Sequence, residues 1–273
     1  MSSLVWTKCK ELLKDIAAWF LPASRKFELG RYKKSFLCKT GLEIGGPSFL
    51  WRRQIPIYKW AKKIDNYDYS ESAVRHLEGR GSNKFQYFLH KKGTQFIGSE
   101  DFSSIPAKAY DFVILRDVLE HTANPLKLLW SIREKITTGG AIVVVTPNKL
   151  GTYDYARPDT SFRHILEDFI ADRGEDDNYH FQELKELLHD HIAPDYNTRD
   201  ELNEIIDRNY ENRRAHHHVF SLEVLSRCCS EAGFRTVIAT SELFPHNIVV
   251  GIRYSDISLQ LKPSMSSILK YES

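Results

Sequence analysis

Leu42-Glu43-Ile44-Gly45-Gly46-Pro47-Ser48 is the stretch that decides the fold, because an apolar run ends there in two adjacent glycines. A strand that ends in glycine permits a tight turn, and the backbone N–H groups of such a turn can approach a ligand closely. Pro47 fixes its own φ angle, and Ser48 is suited to cap a helix that begins after it. The stretch therefore predicts a strand, a ligand-binding turn and a helix in succession.

Short apolar runs alternate with helical patterns on either side of this turn. Strands are predicted at Phe36–Ile44, Ala61–Asp65, Gln95–Ile97, Asp111–Leu115, Ala141–Thr146, Thr236–Ser241 and Asn247–Arg253, and helices at Ser70–Leu77, Pro125–Ile136 and Ser221–Ala232. Strands that alternate with helices indicate βαβ units in a parallel sheet. The last two strands are joined by a short turn, which favours an antiparallel pair. We predict an α/β fold.

A long middle segment breaks this alternation. Residues 147–214 are rich in Asp, Glu, Arg, His and Tyr, and they have helical patterns at Ser161–Ala171, Phe181–His189 and Arg199–Asn209. The segment follows the fifth predicted strand, at an edge from which substrate-binding lids commonly emerge. We predict a core made of residues 36–146 and 215–254, with residues 147–214 as a helical, substrate-binding insertion.

The two ends of the chain differ from the core. Residues 1–35 are a basic extension, and the first 40 residues hold nine Lys and Arg against three Asp and Glu. Apolar residues recur at helical spacing between residues 4 and 21, which predicts an amphipathic helix. Such a helix either caps the core or contacts a membrane surface or a partner protein. Residues 255–273 have no clear period and are expected to form a surface tail.

The composition bounds the function. The chain has 273 residues, 42% of them hydrophobic, which is enough for a large core and excludes a disordered or fibrous protein. The net charge of +2, with 33 acidic against 29 basic residues after position 40, argues against nucleic acid as a partner. Four cysteines without a CxxC pair favour a reducing compartment. The apolar run at residues 16–21 is too short to span a bilayer, so we expect a cytoplasmic protein with at most peripheral membrane contact.

Two carboxylates near the glycine turn indicate what it binds. Glu43 precedes the turn, where a carboxylate is costly unless it is paired, so a cationic ligand is favoured over the phosphates of a dinucleotide. The absence of GxGxxG also argues against a nicotinamide oxidoreductase. Asp65 follows Gly45 by 20 residues, at the end of the second predicted strand, where an acidic side chain can accept hydrogen bonds from ribose hydroxyls. We predict a cationic nucleoside as the ligand.

Several motifs occur in an order typical of one enzyme family. They are residues 43–48, Asp65, Glu100-Asp101, YDFVILRDVLEH at residues 110–121, and Thr138-Gly139-Gly140. Over residues 36–146 and 221–253 the chain resembles the class I S-adenosylmethionine-dependent methyltransferases. The resemblance implies a Rossmann-like, mostly parallel sheet of seven strands whose last strand is antiparallel. Pro47 and Phe49 stand where this family usually has its second and third glycines, which is similar to a bacterial subgroup with a GGPS turn.

The resemblance also implies roles around the cofactor, S-adenosylmethionine. Glu43 and the turn residues Gly45, Gly46, Pro47 and Ser48 are expected to face its amino-acid end, and Asp65 is expected to hold the ribose, with Asn66 as a further cofactor-binding residue. Either Glu100 or Asp101, together with Phe102, is expected at the adenine, and Arg116 is expected to line the methionine side. A scaffold protein that keeps the fold without binding the cofactor is the alternative that the substituted glycines leave open.

Histidines supply the candidates for catalysis. The sulfonium of the cofactor is already reactive, so the protein must position a nucleophile, and a hydroxyl benefits from a general base whose pKa lies near the working pH. His121 follows the fourth strand at the ligand-binding edge, and His164 and His218 are the other candidates. Alternatively, His121 hydrogen-bonds loop backbone or caps the helix that begins near Asn124, and His164 faces the core and bonds to Asp168, its i+4 neighbour. Adjacent histidines such as His216–His218 point in different directions and no HExxH is present, so we predict no metal.

The insertion resembles the same bacterial subgroup. The matching stretches are residues 151–158, 164–168, 212–213 and 217–220. Members of this subgroup often accompany polysaccharide assembly, so the resemblance implies transfer of a methyl group to an oxygen of a saccharide, either a polysaccharide or a nucleotide sugar. Another small molecule is the alternative acceptor. Aromatic residues of the insertion either stack on sugar rings or pack the lid.

Overall fold

Residues 28–69, 83–99, 101–177, 179–190, 199–243 and 245–254 are described by the structure, which is a computed structural model. The predicted helix at residues 4–21 with its membrane or partner contact, the predicted helix Ser70–Leu77, Glu100 and the tail at 255–273 lie outside the described residues. Within the predicted N-terminal extension, Glu28–Ser35 forms a 3-10 helix. No helix in the described ranges has both the length and the apolar character needed to cross a bilayer.

The described residues form one mixed sheet of eight strands. The strands are β1 (Thr40–Ile44), β2 (Lys63–Asp68), β3 (Lys84–Phe88), β4 (Lys91–Ile97), β5 (Tyr110–Arg116), β6 (Ile136–Pro147), β7 (Phe234–Thr240) and β8 (His246–Arg253). Their order across the sheet is β3-β4-β2-β1-β5-β6-β8-β7. β4, β2, β1, β5 and β6 are neighbours in the sheet and run parallel to one another. β8 is antiparallel to both of its neighbours, β6 and β7. The predicted Rossmann-like α/β sheet with an antiparallel last strand is confirmed.

Two features on the β2 side of the sheet differ from the prediction. β3 is an additional strand that pairs antiparallel with β4, and sequence analysis missed it. β2 continues three residues beyond its predicted end, so Asp65 lies inside the strand and Asp68 ends it. The register pairs Ile44 with Tyr67, which brings Asp68 beside the residue that follows β1. The acidic residue at the carboxyl end of β2 is therefore Asp68.

The helices begin at polar caps that the sequence supplies. They are α1 (Phe49–Arg53), α2 (Ile57–Trp60), α3 (Pro125–Lys135), α4 (Phe162–Ile170), α5 (Tyr179–Asp190), α6 (Arg199–Asp207), α7 (Asn209–Asn212) and α8 (Leu222–Glu231). The side chains of Ser48, Asn124, Ser161 and Ser221 accept backbone N–H groups at the starts of α1, α3, α4 and α8. The predicted helices of the core at α3 and α8 are confirmed within a residue or two.

The sheet separates two apolar cores. One core contains Leu42, Ile44, Val113 and Leu115 with residues of α3, α4 and α8, and the other contains Trp51 and Tyr58 with the opposite faces of the central strands. The insertion adds a smaller cluster made of Tyr153, Phe181, Leu184, Ile205, Ile206 and Ala215. α4 of the insertion packs into the first core, whereas α5 and α6 contribute to the small cluster.

The order of the strands reverses between β1 and β5. Successive strands lead away from β1 in opposite directions, through β2 on one side and β5 on the other. In open α/β sheets, ligands bind in the crevice outside the carboxyl ends of the strands at such a switch point. The strand order therefore predicts a ligand-binding site between the turn after Ile44 and the segment after Arg116.

Candidate active site

The turn after β1 depends on both of its glycines. Gly45 has a φ of 75°, in the left-handed region that glycine occupies without steric cost. A Cβ on Gly46 would lie 2.5 Å from Oε2 of Glu43, so a side chain there displaces a buried carboxyl group. The Gly46 N–H donates to Oδ1 of Asn66 at 3.0 Å. Replacement of the usual later glycines by Pro47 and Phe49 leaves this part of the turn intact.

Glu43 lies beneath the turn and is 1% exposed. Its Oε2 accepts the hydroxyl of Tyr58 at 2.6 Å, and the Tyr58 oxygen in turn accepts the Ser48 N–H at 2.7 Å. Burial raises the pKa of Glu43 from 4.5 to about 8, although the hydrogen bond from Tyr58 opposes the shift. The structure thus gives Glu43 a protein partner in Tyr58, which differs from the cationic partner that sequence analysis expected.

Replacement of Glu43 by Gln should change how stability depends on pH. The folded chain keeps the Glu43 proton up to about pH 8, whereas the unfolded chain releases it near 4.5, so the wild type loses stability as the pH rises through this window. The amide of Glu43→Gln does not titrate. We expect the free energy of unfolding of Glu43→Gln, relative to wild type, to rise by up to about 1.4 kcal/mol per pH unit. Urea unfolding at pH 5.5 and 8 tests this, and a constant difference would contradict it.

Asp65 and Asp68 differ in their surroundings. Asp65 pairs with Nζ of Lys63 at 2.8 Å, and it also accepts the N–H of Thr94 and the hydroxyl of Tyr110. Asp68, at the end of β2, is buried and accepts the side-chain amides of Asn66 at 2.7 Å and Gln95 at 3.1 Å. Asp65 therefore belongs to an internal network across β2, β4 and β5.

Asn66 connects Asp68 to the glycine turn. Its Oδ1 accepts from Gly46, and its Nδ2 donates to Asp68 and Gln95. The side chain is completely buried. Asn66, which sequence analysis assigned to the ribose, thus holds the turn against the end of β2.

A cleft opens at the switch point between β1 and β5. The open space within it, which includes solvent beyond the protein surface, is about 390 Å³. Its lining residues come from the strand ends, the following loops and the insertion: Ile44, Tyr67, Tyr69, Phe102, Val118, His121, Thr122, Leu128, Glu175 and Arg213. The centres of the Tyr67 and Phe102 rings lie 4.6 Å apart, and the two rings form an apolar wall. Of the predicted site residues, the structure places Phe102 and His121 directly in this cleft.

The remaining predicted residues lie around its edge. Arg116 donates from Nη1 to Oγ of Ser48 at 3.3 Å, which joins the end of β5 to the turn after β1. Asp101 is exposed, and hydrogen bonds from Ser99 and Ser103 lower the pKa of its carboxyl group. Asp101 is therefore on the solvent side of the loop that carries Phe102.

His121 has a defined orientation at the floor of the cleft. Its Nδ1 lies 3.2 Å from the carbonyl oxygen of Ala215, and because a carbonyl can only accept, Nδ1 carries the proton. Nε2 is then the ring nitrogen with the lone pair. The His216 ring stands edge-on at 4.6 Å, and Nδ1 of His216 is 2.5 Å from Oδ2 of Asp154. Ala215 and His216, directly after the insertion, therefore fix the position of His121, and Asp154 of the insertion holds His216.

Glu120 is the buried carboxyl group next to His121. Neither of its oxygens accepts a hydrogen bond from the residues that the structure describes, and Oε1 is 3.9 Å from Nε2 of His121. Burial and the nearby charge of Asp117 raise the pKa of Glu120 well above its usual value. The positive charge of Arg116 opposes this shift only in part.

His164 and His218 lie in a separate buried cluster. Their Nε2 atoms are 3.4 and 3.0 Å from Oδ2 of Asp168, as the alternative interpretation of His164 predicted for that residue. Burial lowers the pKa of His218 to about 4. Neither residue lines the cleft described above. The structure thus brings only His121, of the three candidate bases, to the cleft.

Sequence analysis missed two charged residues at the mouth of the cleft. Glu175 and Arg213 form an ion pair between segments that are 38 residues apart. The Arg213 guanidinium also lies 5.0 Å from the centre of the Tyr69 ring. No local pattern links residues so far apart, and only the folding of the insertion brings them together.

The fold and the cleft define a class of protein. A parallel sheet that reverses at a glycine turn, with an antiparallel last strand and a cleft above the turn, is the architecture of the class I S-adenosylmethionine-dependent methyltransferases. A family model described as a methyltransferase domain matches residues 8–239. The chain belongs to this family, and its cofactor is S-adenosylmethionine.

Two of the solved structures that the chain resembles are described as methyltransferases. A SAM-dependent methyltransferase from Aquifex aeolicus is 13% identical with a TM-score of 0.44, over 88% of this chain and 97% of that one. An S-adenosylmethionine-dependent methyltransferase from Mesorhizobium loti is 12% identical with a TM-score of 0.45, over 82% of this chain and 97% of that one. A search of curated proteins found no match.

Proposed function

We propose that the chain transfers a methyl group to a hydroxyl oxygen of a saccharide, with His121 as the general base. When bound, S-adenosylmethionine supplies a methyl group on a positively charged sulfur that is ready for transfer. The protein then has to hold the acceptor oxygen in line and remove its proton. The position of His121 in the cleft is the observation that carries the proposal.

The residues around the cleft fit the cofactor. Gly45 and Gly46 keep the backbone of the turn free of side chains, and Ser48 with Arg116 supplies polar groups beside it. Tyr67 and Phe102 offer an apolar wall for the adenine. We assign the ribose to Asp68 instead of Asp65, because Asp68 ends β2 beside the turn. Glu43 and Asn66 hold the turn from below.

His121 is suited to accept a proton from a hydroxyl. The carbonyl of Ala215 keeps the proton on Nδ1, so the lone pair of Nε2 is directed away from that hydrogen bond. Packing against His216, which Asp154 holds in turn, restricts rotation of the ring. A base with a fixed tautomer and orientation is what transfer to a hydroxyl oxygen requires.

The mouth of the cleft supports a sugar acceptor. Tyr69 provides an aromatic face, while Glu175 and Arg213 provide a hydrogen-bond acceptor and donors next to it. Sugar rings combine apolar C–H faces with hydroxyl groups, which such a surface complements. The resemblance of the insertion to the polysaccharide-associated subgroup supports the same acceptor class.

Mass spectrometry of candidate acceptors tests the proposal. The full chain is incubated with S-adenosylmethionine that carries an isotopically labelled methyl group and with panels of nucleotide sugars, oligosaccharides and phenolic or amine metabolites. We expect the labelled methyl group on a sugar oxygen. A methyl group on nitrogen, on carbon or on a non-sugar compound would overturn the acceptor class.

Calorimetry separates an enzyme from a scaffold. Binding of S-adenosylmethionine and of its demethylated product at micromolar concentrations is expected of the enzyme, and absence of both would favour the scaffold alternative. The transfer assay is also repeated with added chelator and then with Mg²⁺ or Mn²⁺. Activity that requires one of these ions would replace the base by a cation between Glu120, His121 and His216, whose ligand atoms lie within 4.8 Å of one another.

A further inference from the structure

Four side chains converge at a point outside the cleft. They are His164 and Asp168 of α4, His180 of α5 and His218 of the segment before α8, and we call them the histidine–aspartate cluster. Their ligand atoms all lie within 4.8 Å of one another. Three of the four residues are buried, whereas the His164 side chain is 29% exposed. The cluster therefore has one side that opens toward solvent.

The distances in the cluster match a four-coordinate metal site. Nε2 of His164 and Nε2 of His180 are 2.8 Å apart, and each is 3.4 Å from Oδ2 of Asp168. Nε2 of His218 is 3.0 Å from the same oxygen. A tetrahedral zinc ion with bonds of about 2.0–2.1 Å places its ligand atoms roughly 3.3 Å apart. Four of the six separations among these atoms are thus close to the edge of such a tetrahedron.

The surroundings orient these side chains as metal ligands. Nδ1 of His218 lies 3.0 Å from the carbonyl oxygen of Thr122, so it carries the proton and Nε2 carries the lone pair. Nε2 lies 3.0 Å from Oδ2 of Asp168, a separation that fits either a proton shared between the two atoms or a metal ion bound by both of them. Arg173 contacts the other oxygen of Asp168 at 2.8 Å, so Oδ2 is the carboxylate oxygen that faces the three histidines. Partners of this kind commonly fix metal-ligating histidines and carboxylates.

We propose that His164, Asp168, His180 and His218 bind one structural zinc ion. Three imidazoles and one carboxylate form a nitrogen-rich set that suits Zn²⁺ better than Mg²⁺ or Ca²⁺. Four protein ligands close the coordination sphere, which is typical of a structural site. The ion connects α4 and α5 of the insertion to the segment before α8, in which His218 contacts the carbonyl oxygen of Thr122. This proposal replaces the expectation that no metal is bound, and only His218 of the run His216–His218 takes part.

Metal analysis of untagged protein tests the proposal without substrate or cofactor. We expect about one zinc per chain by plasma mass spectrometry. His180→Ala and Asp168→Asn should lose the zinc, and the milder His164→Gln should reduce it. His90→Ala is the matched control, because His90 is exposed in the turn between β3 and β4, and it should keep the full content.

Two measurements on the wild-type chain avoid variants that fail to fold. Removal of the metal with a chelator should lower the Tm by about 5 °C or more, and added Zn²⁺ should restore it, since binding to the folded state alone stabilises it. Replacement by Co²⁺ should give the intense visible absorption of a tetrahedral site. A chain that contains no zinc after growth and refolding with zinc, and whose Tm does not respond to Zn²⁺, would overturn the proposal. None of these readouts depends on methyl transfer.

Discussion

His121→Ala is expected to reduce kcat by about 100- to 10,000-fold, the range typical of a lost general base. The affinity for S-adenosylmethionine should stay unchanged, because the cofactor contacts assigned above come from the turn, from Asp68 and from Phe102. The loss of kcat is expected because of the position of His121 in the cleft. The Ala215 carbonyl fixes the tautomer of His121, and no other candidate base of the described chain lines the cleft.

The measurement compares single-turnover rates and calorimetric affinities on the acceptor found by the mass spectrometric screen. His164→Ala would remove a cluster ligand instead, so any loss of its activity should follow its loss of stability. His90→Ala serves as the control for an exposed histidine and should retain full activity. Turnover near wild type in His121→Ala would remove this residue from the chemistry.

Asp68→Ala is expected to weaken S-adenosylmethionine binding by about 10- to 100-fold, which corresponds to the loss of a charge-assisted hydrogen bond. Asp68 ends β2 next to the glycine turn, where ribose hydroxyls are bound in folds of this type. Its carboxylate also orders Asn66 and Gln95, so the turn would lose support as well.

Asp65→Ala is the matched comparison, because it removes the same group three residues earlier. Asp65 contacts Lys63, Thr94 and Tyr110, so its loss should lower the Tm by a few degrees and leave cofactor affinity close to wild type. Calorimetry on both variants, after thermal melts have confirmed that they are folded, decides between them. A large loss of affinity in Asp65→Ala alone would return the ribose site to the residue that sequence spacing favoured.

The additional strand shows where local sequence patterns are insufficient. Lys84–Phe88 begins with an alternation of exposed and buried residues, as an edge strand should. Its turn to β4, however, contains Leu89 at a φ of 46°, and no glycine, asparagine or aspartate occupies the turn to mark a hairpin. Pairing with β4 therefore forms this strand although the local sequence carries only a weak signal for a hairpin. The apolar part of β6, Ala141–Thr146, was predicted correctly because it is buried and its residues are almost all apolar, whereas the preceding five residues of β6, which are mostly polar or glycine, were missed.

The candidate site shows the same limit of local sequence patterns at Asp65 and Glu43, the two carboxylates near the glycine turn. Spacing from Gly45 singled out Asp65, but the length of β2 and its register with β1 place Asp68 at the strand end. Glu43 was expected to face a cation, whereas Tyr58 of α2 supplies its partner. Spacing along the chain gives only the number of residues between two side chains. Which side chains become neighbours in space depends on how the strands and helices pack.

The sequence by itself determined the central strands of the sheet, the glycine turn and the family, because hydrophobic periodicity and short motifs are properties of residues that are neighbours along the chain. Tertiary structure alone decided which histidine enters the cleft and which ones surround Asp168. His218 and His164 are 54 positions apart, and His121 and Ala215 are 94 apart, so their contacts arise only when the insertion folds back on the sheet. Such distant contacts are set by the packing of apolar faces, and this packing brings together polar groups that no stretch of sequence places side by side.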